Sequence, residues 1–250
     1  MGAYALKIDI LGVSFDNITP EEAVAAGMRL LDGEKTGYVV TPNPEFILEA
    51  RKNPVFRTDL AGAALTLADG IGVIYAAKIL GTPVRGKVTG IGFASGLMAE
   101  MAKQGKKLYL LGAKPGVARL AGEKLMETHP GLVVCGTHDG YFKEEESPAI
   151  AAEICALGAD AVFVCLGAPK QERWMATYGE TTGAKLLAGL GGSLDIFAGT
   201  VERAPEGWQK LGLEWLYRLK KEPWRWKRMI RLPLVLWYAL LARLGGKHHG

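Results

Sequence analysis

The sequence predicts an α/β protein, a doubly wound and mostly parallel sheet followed by a basic helical tail. Three observations carry this. Short runs rich in Val, Ile and Leu recur through residues 1–201 without polar alternation, as strands buried on both faces require. Stretches with helical periodicity stand between them, in a βαβ rhythm. Beyond residue 201 the rhythm stops, and Pro, Trp, Arg and Lys take over.

Strands are expected over Leu6–Leu11, Tyr38–Thr41, Lys107–Leu111, Leu132–Cys135, Ala161–Leu166 and Lys185–Ala188, with "LTLAD", ending at Asp69, as a weaker seventh. The segment "TPEEAVAAGMRLLDG" signals a helix at both ends: Thr19 as N-cap, Pro20 in the first position, Glu22 closing a capping box and Gly33 past the end. Further helices are expected over Pro44–Lys52, Ile71–Leu80, Phe93–Lys103, Gly116–Thr128, Glu144–Leu157 and Pro169–Tyr178. Residues 1–201 thus read as one Rossmann-like domain. Residues 202–250 read as an appendage of short helices, punctuated by Pro205, Pro223 and Pro233, each suited to a first turn.

A chain of 250 residues, 49% hydrophobic and 22% charged, is globular and long enough for a real core. Its net charge of +4 hides a division. From Trp208 onward there are ten Lys/Arg and two Asp/Glu, while the preceding residues are net acidic. Five of the six Trp lie in the same stretch (Trp208, Trp215, Trp224, Trp226, Trp237). Such asymmetry points to a membrane or nucleic-acid partner. Cys135, Cys155 and Cys165 form no C-x-x-C pair, which suits a reducing compartment. Residues 1–20 show no secretory pattern.

In an open α/β sheet, ligands bind outside the carboxyl ends of the strands. The turns there read "TPNPE" with Thr41 and Asn43, "ADGIG" with Asp69, "GAKPG" from Gly112, "GAPKQE" with Lys170 and Gln171, and "GLGGSLD" with Gly191, Gly192 and Asp195. Glycine permits close backbone approach, and helix N-termini favour phosphate. Lys114 and Lys170 add charge, so a diphosphate or nucleotide is the expected ligand class. Each turn alone has a plainer explanation: tight turns need Gly, Asp-Gly is a common turn dipeptide, Gln171 suits a solvated first helical turn, and Asp195 suits a cap. The dinucleotide fingerprint, the P-loop and the G-x-S-x-G elbow are all absent. There is no D-x-D pair, and His129 and His138 lack ligand spacing, so no metal and no cofactor is expected. Protein cations and helix N-termini would then stabilise a departing diphosphate.

The blocks "TPNPEFILEARKNP", "LADGIGVIYAAKILG", "KVTG", "YLLGAKPGVA", "GTHDGYF", "VCLGAPKQERWM", "GLGGSLDIFAGTVERAP" and "WQKLGLEWLYRLKKEPWRWKR" resemble, in order, those of the WecG/TagA/CpsF glycosyltransferases. The resemblance runs from about residue 5 to 231 and is nearest the TagA-type enzymes of wall teichoic acid synthesis. It implies an inverting, metal-independent transferase on the inner face of the cell membrane. The donor implied is UDP-N-acetylmannosamine and the acceptor N-acetylglucosaminyl-diphosphoundecaprenol, joined through its 4-hydroxyl. Related donors, N-acetylmannosaminuronic acid or a hexose, are the alternatives within the family; a nucleotide-binding oxidoreductase and a non-enzymatic binding module are the more distant ones. Carried over by position, Asp69 is the general base, and Thr41 and Asn43 lie beside the sugar. Gln171 holds donor or acceptor, Tyr141 is a platform for uracil, and Gly191, Gly192 and Asp195 hold the nucleotide. Arg218, Arg225 and Arg228 close over the UDP phosphates. Two positions depart from the family pattern. Lys87 replaces the usual Arg before "VTG", a point charge for a bidentate fork. Gly92 stands where many members carry Asp.

Arg218, Lys221, Arg225 and Arg228 are spaced 3, 4 and 3, one stripe if helical. Interleaved Trp favours the boundary of an anionic membrane over nucleic acid. Leu232–Ala242 is uncharged. As a helix it covers about 16 Å against a hydrocarbon core of about 30 Å, so it can lie in the interface but not span. The alternatives are burial of this helix against the α/β domain or against a second copy in a homo-oligomer.

Overall fold

The computed structural model describes residues 7–205, 207–208, 213–221, 226 and 231–245. The chain opens with an antiparallel hairpin, β1 (Lys7–Ile10) and β2 (Val13–Asp16). The first strand was expected in the parallel sheet. Instead Leu11 and Gly12, both at positive φ, turn the chain back in two residues. Side-chain alternation explains the difference: Ile8 and Ile10 are buried while Lys7 and Asp9 are exposed, so only one face is covered. Asp16 ties the hairpin to the main sheet by accepting from the Thr66 backbone N–H at 2.8 Å.

The main sheet has six strands: β3 (Gly37–Val40), β4 (Leu65–Thr66), β5 (Lys107–Gly112), β6 (Val133–His138), β7 (Ala161–Cys165) and β8 (Leu186–Gly189). Their order is β4-β3-β8-β7-β5-β6, and every pairing is parallel. The weak "LTLAD" strand is the short edge, β4.

The helices are α1 (Pro20–Leu31), α2 (Pro44–Lys52), α3 (Pro54–Ala61), α4 (Ile71–Leu80), α5 (Gly90–Gln104), α6 (Val117–Thr128), α7 (Ser147–Leu157), α8 (Lys170–Tyr178), α9 (Ser193–Phe197), α10 (Glu214–Lys221) and α11 (Arg231–Gly245). The capping box expected at Thr19 and Glu22 is present. Two helices went unread in the sequence. For α3 the signal was there, Asn53 accepting from the Phe56 N–H with Pro54 next. With five residues, α9 is too short for periodicity to register.

The sheet is covered on both sides, which is why its strands do not alternate. Tyr109, Leu111, Val162, Val164 and Leu187 pack into one core with α2, α3, α4, α7 and α8. Leu108, Leu110, Phe163, Leu186 and Ala188 pack into the other with α1, α5, α6 and α9.

Helix α11 lies against α4 and α2. Gly72 makes this possible, since a Cβ there would overlap both Leu232 and Pro44. Val235 and Ala239 are fully buried and complete the first core. The Arg51 guanidinium stacks 4.4 Å from the Tyr238 ring, and Arg243 donates to the Leu80 carbonyl at 2.7 Å, satisfying the end of α4. One face of α11 is therefore buried against the α/β domain. The other leaves Leu234, Trp237, Leu240, Leu241 and Leu244 exposed. Among the described residues, no helix is long and apolar enough to cross a membrane.

Candidate active site

A cleft of about 440 Å³ opens at the carboxyl ends of β3, β4, β7 and β8. The helices that leave these strands part here: α2, after β3, packs into the first core, whereas α9, after β8, packs into the second. Departure to opposite faces parts the connecting turns and leaves a crevice between them. Glu214 and Trp215 of α10 and Arg231 and Leu232 of α11 close its outer side.

Seven of the residues picked from the sequence line this cleft: Thr41, Asn43, Asp69, Lys87, Gln171, Gly191 and Gly192. Each is held by its local structure. Thr41 follows β3 and donates to the Gly189 carbonyl at 3.1 Å, bridging β3 to β8. The Asn43 side-chain oxygen Oδ1 caps α2, accepting from the Glu45 and Phe46 N–H groups. Asp69 stands between β4 and α4, where Gly70 at φ 88° turns the chain without a Cβ penalty. One Asp69 oxygen accepts from the Gly90 N–H at 3.1 Å, at the start of α5. This bond orients the carboxylate at the cleft wall.

Gln171 is buried in the cleft floor, not solvated. Its oxygen accepts from the Gly167 N–H at 3.2 Å and the Gly191 N–H at 3.0 Å. Its nitrogen donates to Glu172 at 2.6 Å. Burial pushes the Glu172 carboxyl up to about 7, with the Gln171 hydrogen bond opposing and the Asp59 charge adding. Cys165, at the end of β7, is likewise desolvated and its thiol pushed up to about 12, so it is no nucleophile at neutral pH.

The raised Glu172 carboxyl makes a pH prediction. Its charged form is disfavoured in the folded state, so its contribution is complete below the ordinary carboxylate value of 4.5 and is lost as pH rises through about 7. The Glu172→Gln variant lacks this loss. Thermal melting of the two proteins is expected to coincide near pH 4.5, with the variant more stable at pH 8 by roughly 3 kcal/mol. Melting curves that stay parallel across this range would exclude the effect.

The cations were only partly legible. Lys87 lies 3.5 Å from Glu214, and Arg203, not picked from the sequence, approaches the other Glu214 oxygen at 3.9 Å. Glu202 holds α10 through Lys221 at 3.0 Å and Tyr217 at 3.2 Å. Arg218 falls within α10, but its side chain lies outside the described residues, as do Arg225 and Arg228 entirely.

Four other picked residues do not line the cleft. Gly112, Tyr141 and Lys170 gather at the carboxyl ends of β5, β6 and β7. There the Gly140 N–H donates to the Ala113 carbonyl at 2.9 Å, and Lys170 donates to the Gly140 carbonyl at 3.3 Å. Tyr141 is exposed on this neighbouring shelf. Asp195 lies within α9, its carbonyl accepting from Thr200 and Val201.

The model of the "Glycosyl transferase WecG/TagA/CpsF family" matches residues 8–249. That is further than the sequence resemblance, which stopped near residue 231, and it takes in α11. The chain is also 36% identical over 203 residues to the "N-acetylglucosaminyldiphosphoundecaprenol N-acetyl-beta-D-mannosaminyltransferase" of Bacillus spizizenii, covering 81% of this chain and 78% of the relative. A doubly wound sheet, a cleft at the carboxyl ends of its strands and a match over almost the whole length agree: the chain is a glycosyltransferase and belongs to the WecG/TagA/CpsF family.

Proposed function

We propose that the protein transfers N-acetylmannosamine from UDP-N-acetylmannosamine to the 4-hydroxyl of N-acetylglucosaminyl-diphosphoundecaprenol. The product carries a β-1,4 linkage formed with inversion, an early step of wall teichoic acid or a related surface polysaccharide. The observation that carries this reading is convergence. Residues from five separate segments, Thr41 with Asn43, Asp69, Lys87, Gln171 and Gly191, meet at one cleft in a chain similar to a named mannosaminyltransferase.

In this mechanism the Asp69 carboxylate accepts the proton of the acceptor hydroxyl as its oxygen attacks C1 of the donor sugar. The new C1–O bond forms on the face opposite the breaking bond to the diphosphate, and UDP departs. Negative charge grows on the leaving oxygens. Lys87 and Arg203, paired with Glu214 at the cleft mouth, are placed to receive it, and the tail arginines add to them. No metal is assigned to the reaction.

The lipid acceptor gives the open face of α11 a role. At 15 residues, α11 is about 22 Å long, too short to span. Leu234, Trp237, Leu241 and Leu244 form a stripe suited to the headgroup boundary. Leu232, at the start of the same helix, lines the cleft. A membrane holding this stripe would present the acceptor at the cleft mouth.

The test is transfer to a prenyl-diphosphate-linked N-acetylglucosamine across a panel of UDP-sugars, with EDTA present. UDP-N-acetylmannosamine is expected to be the preferred donor, with undiminished rate in chelator. Preference for N-acetylmannosaminuronic acid or a hexose, or loss of activity in EDTA, would overturn the donor or the metal-free mechanism respectively.

A further inference from the structure

Gln171 and Glu172 are 1% and 0% exposed, and Glu172 does not itself line the cleft. Gln171 spans the gap between two turns, with its oxygen facing two backbone N–H groups, those of Gly167 and Gly191. An amide side chain can be flipped by half a turn about its last bond with little change in shape. Flipped here, its NH2 would face two donors and its oxygen would face the Glu172 carboxyl. The two backbone N–H groups select this orientation, and the Glu172 acceptor, 2.6 Å from the Gln171 nitrogen, anchors the other end of the amide. The site is built for this side chain: a Cβ on Gly189 would lie 2.9 Å from the Gln171 nitrogen. The second Glu172 oxygen has no hydrogen-bond partner among the described residues, so this buried carboxyl is not explained by a wider structural network.

We propose that Glu172 is a positioning residue of the transferase, fixing the Gln171 amide so that it clamps the Gly167 turn to the Gly191 turn across the cleft floor. The catalytic consequence rests on the proposed transferase reaction, whereas the clamp itself does not. With the clamp in place, the backbone of both turns keeps its spacing as substrate enters. Without it, the same groups remain but their geometry is no longer held, and a small misplacement is costly to transfer.

The test uses the full chain and three substitutions: Glu172→Met, Glu172→Gln and Gln171→Ala. Met matches the volume and removes the acceptor. Loss of a disfavoured buried charge offsets the loss of one hydrogen bond, so the variant is expected to fold; Glu172→Leu serves if it does not. Hydrogen exchange at the Gly167 and Gly191 amides is expected to quicken about tenfold or more in E172M, while the amides of Val164 and Leu187 exchange as in the wild type. In the transfer assay kcat falls about tenfold in E172M, and E172Q, which keeps an acceptor oxygen, recovers most of it. Adding E172M to Q171A lowers kcat by less than about twofold further, because both act through one contact.

Unchanged exchange at the two glycine amides in E172M would overturn the proposal. So would effects of E172M and Q171A that multiply, or an E172Q variant as slow as E172M. Should the wild type transfer from no UDP-sugar, the proposed reaction falls, and the exchange measurement still decides the clamp.

Discussion

Asp69→Asn is expected to lower kcat about a thousandfold, within the range that removal of a general base produces. A sugar hydroxyl is a weak nucleophile, and the reaction needs its proton taken as the C1–O bond forms. Asn has nearly the same shape as Asp. Its carbonyl oxygen can still accept from the Gly90 N–H, the contact that orients Asp69 at 3.1 Å. Melting temperature and donor KM should therefore stay close to the wild type, separating chemistry from folding and binding. Initial rates at saturating acceptor measure the effect. Turnover within a few fold of wild type would remove Asp69 from the role and turn attention to the other carboxylates of the cleft, Glu45, Glu49 and Glu214.

Replacing Trp237, Leu241 and Leu244 together by Gln is expected to weaken binding to anionic vesicles by about a hundredfold. These side chains are 55%, 45% and 54% exposed, so each has about half its apolar surface left to bury, at roughly 1 kcal/mol apiece. Folding should be affected far less than by a change on the inner face, because about half of each side chain already meets water. Transfer to an acceptor embedded in vesicles should fall with binding, while transfer to a short-chain soluble acceptor should not. The inner face of the same helix provides the contrast. Val235 is fully buried against α4 and α2, so Val235→Asp should destabilise the fold under any assay. Vesicle binding as tight as wild type in the triple variant would show that the open face meets something other than lipid. A concentration-dependent dimer lost in the same variant would identify a second copy as its cover.

The α/β core was readable because burial on two faces leaves an unmistakable trace. The segments now seen as β5, β7 and β8 were found as uninterrupted apolar runs, and α2 and α4 were found residue for residue. The first strand was misassigned for the same reason in reverse. Lys7 and Asp9 alternate with Ile8 and Ile10, the trace of a strand covered on one face only. Thr41, Asn43, Asp69, Gly191 and Gly192 were legible as residues of the cleft because each follows a strand in an open sheet, where ligand crevices lie at the strands' carboxyl ends.

Other features had no such trace. Arg203 joins Lys87 across Glu214 only because α10 docks at the cleft mouth, a contact between segments 127 residues apart in the chain. Gln171 was found, yet its work was hidden: one position in "APKQE" cannot reveal that its amide oxygen faces two glycine turns while Glu172 holds its nitrogen. The tail shows the same division. Its sequence by itself determined that it is basic and Trp-rich and that its apolar run, Leu232–Ala242, is too short to span a membrane, since charge and length are properties of the chain alone. Only the tertiary structure decided which side of α11 is free, because a helix apolar on most of its surface can turn either face inward. Here bare Gly72 admits Leu232, Val235 and Ala239 fill the core over α2 and α4, and Trp237, Leu241 and Leu244 are left facing outward.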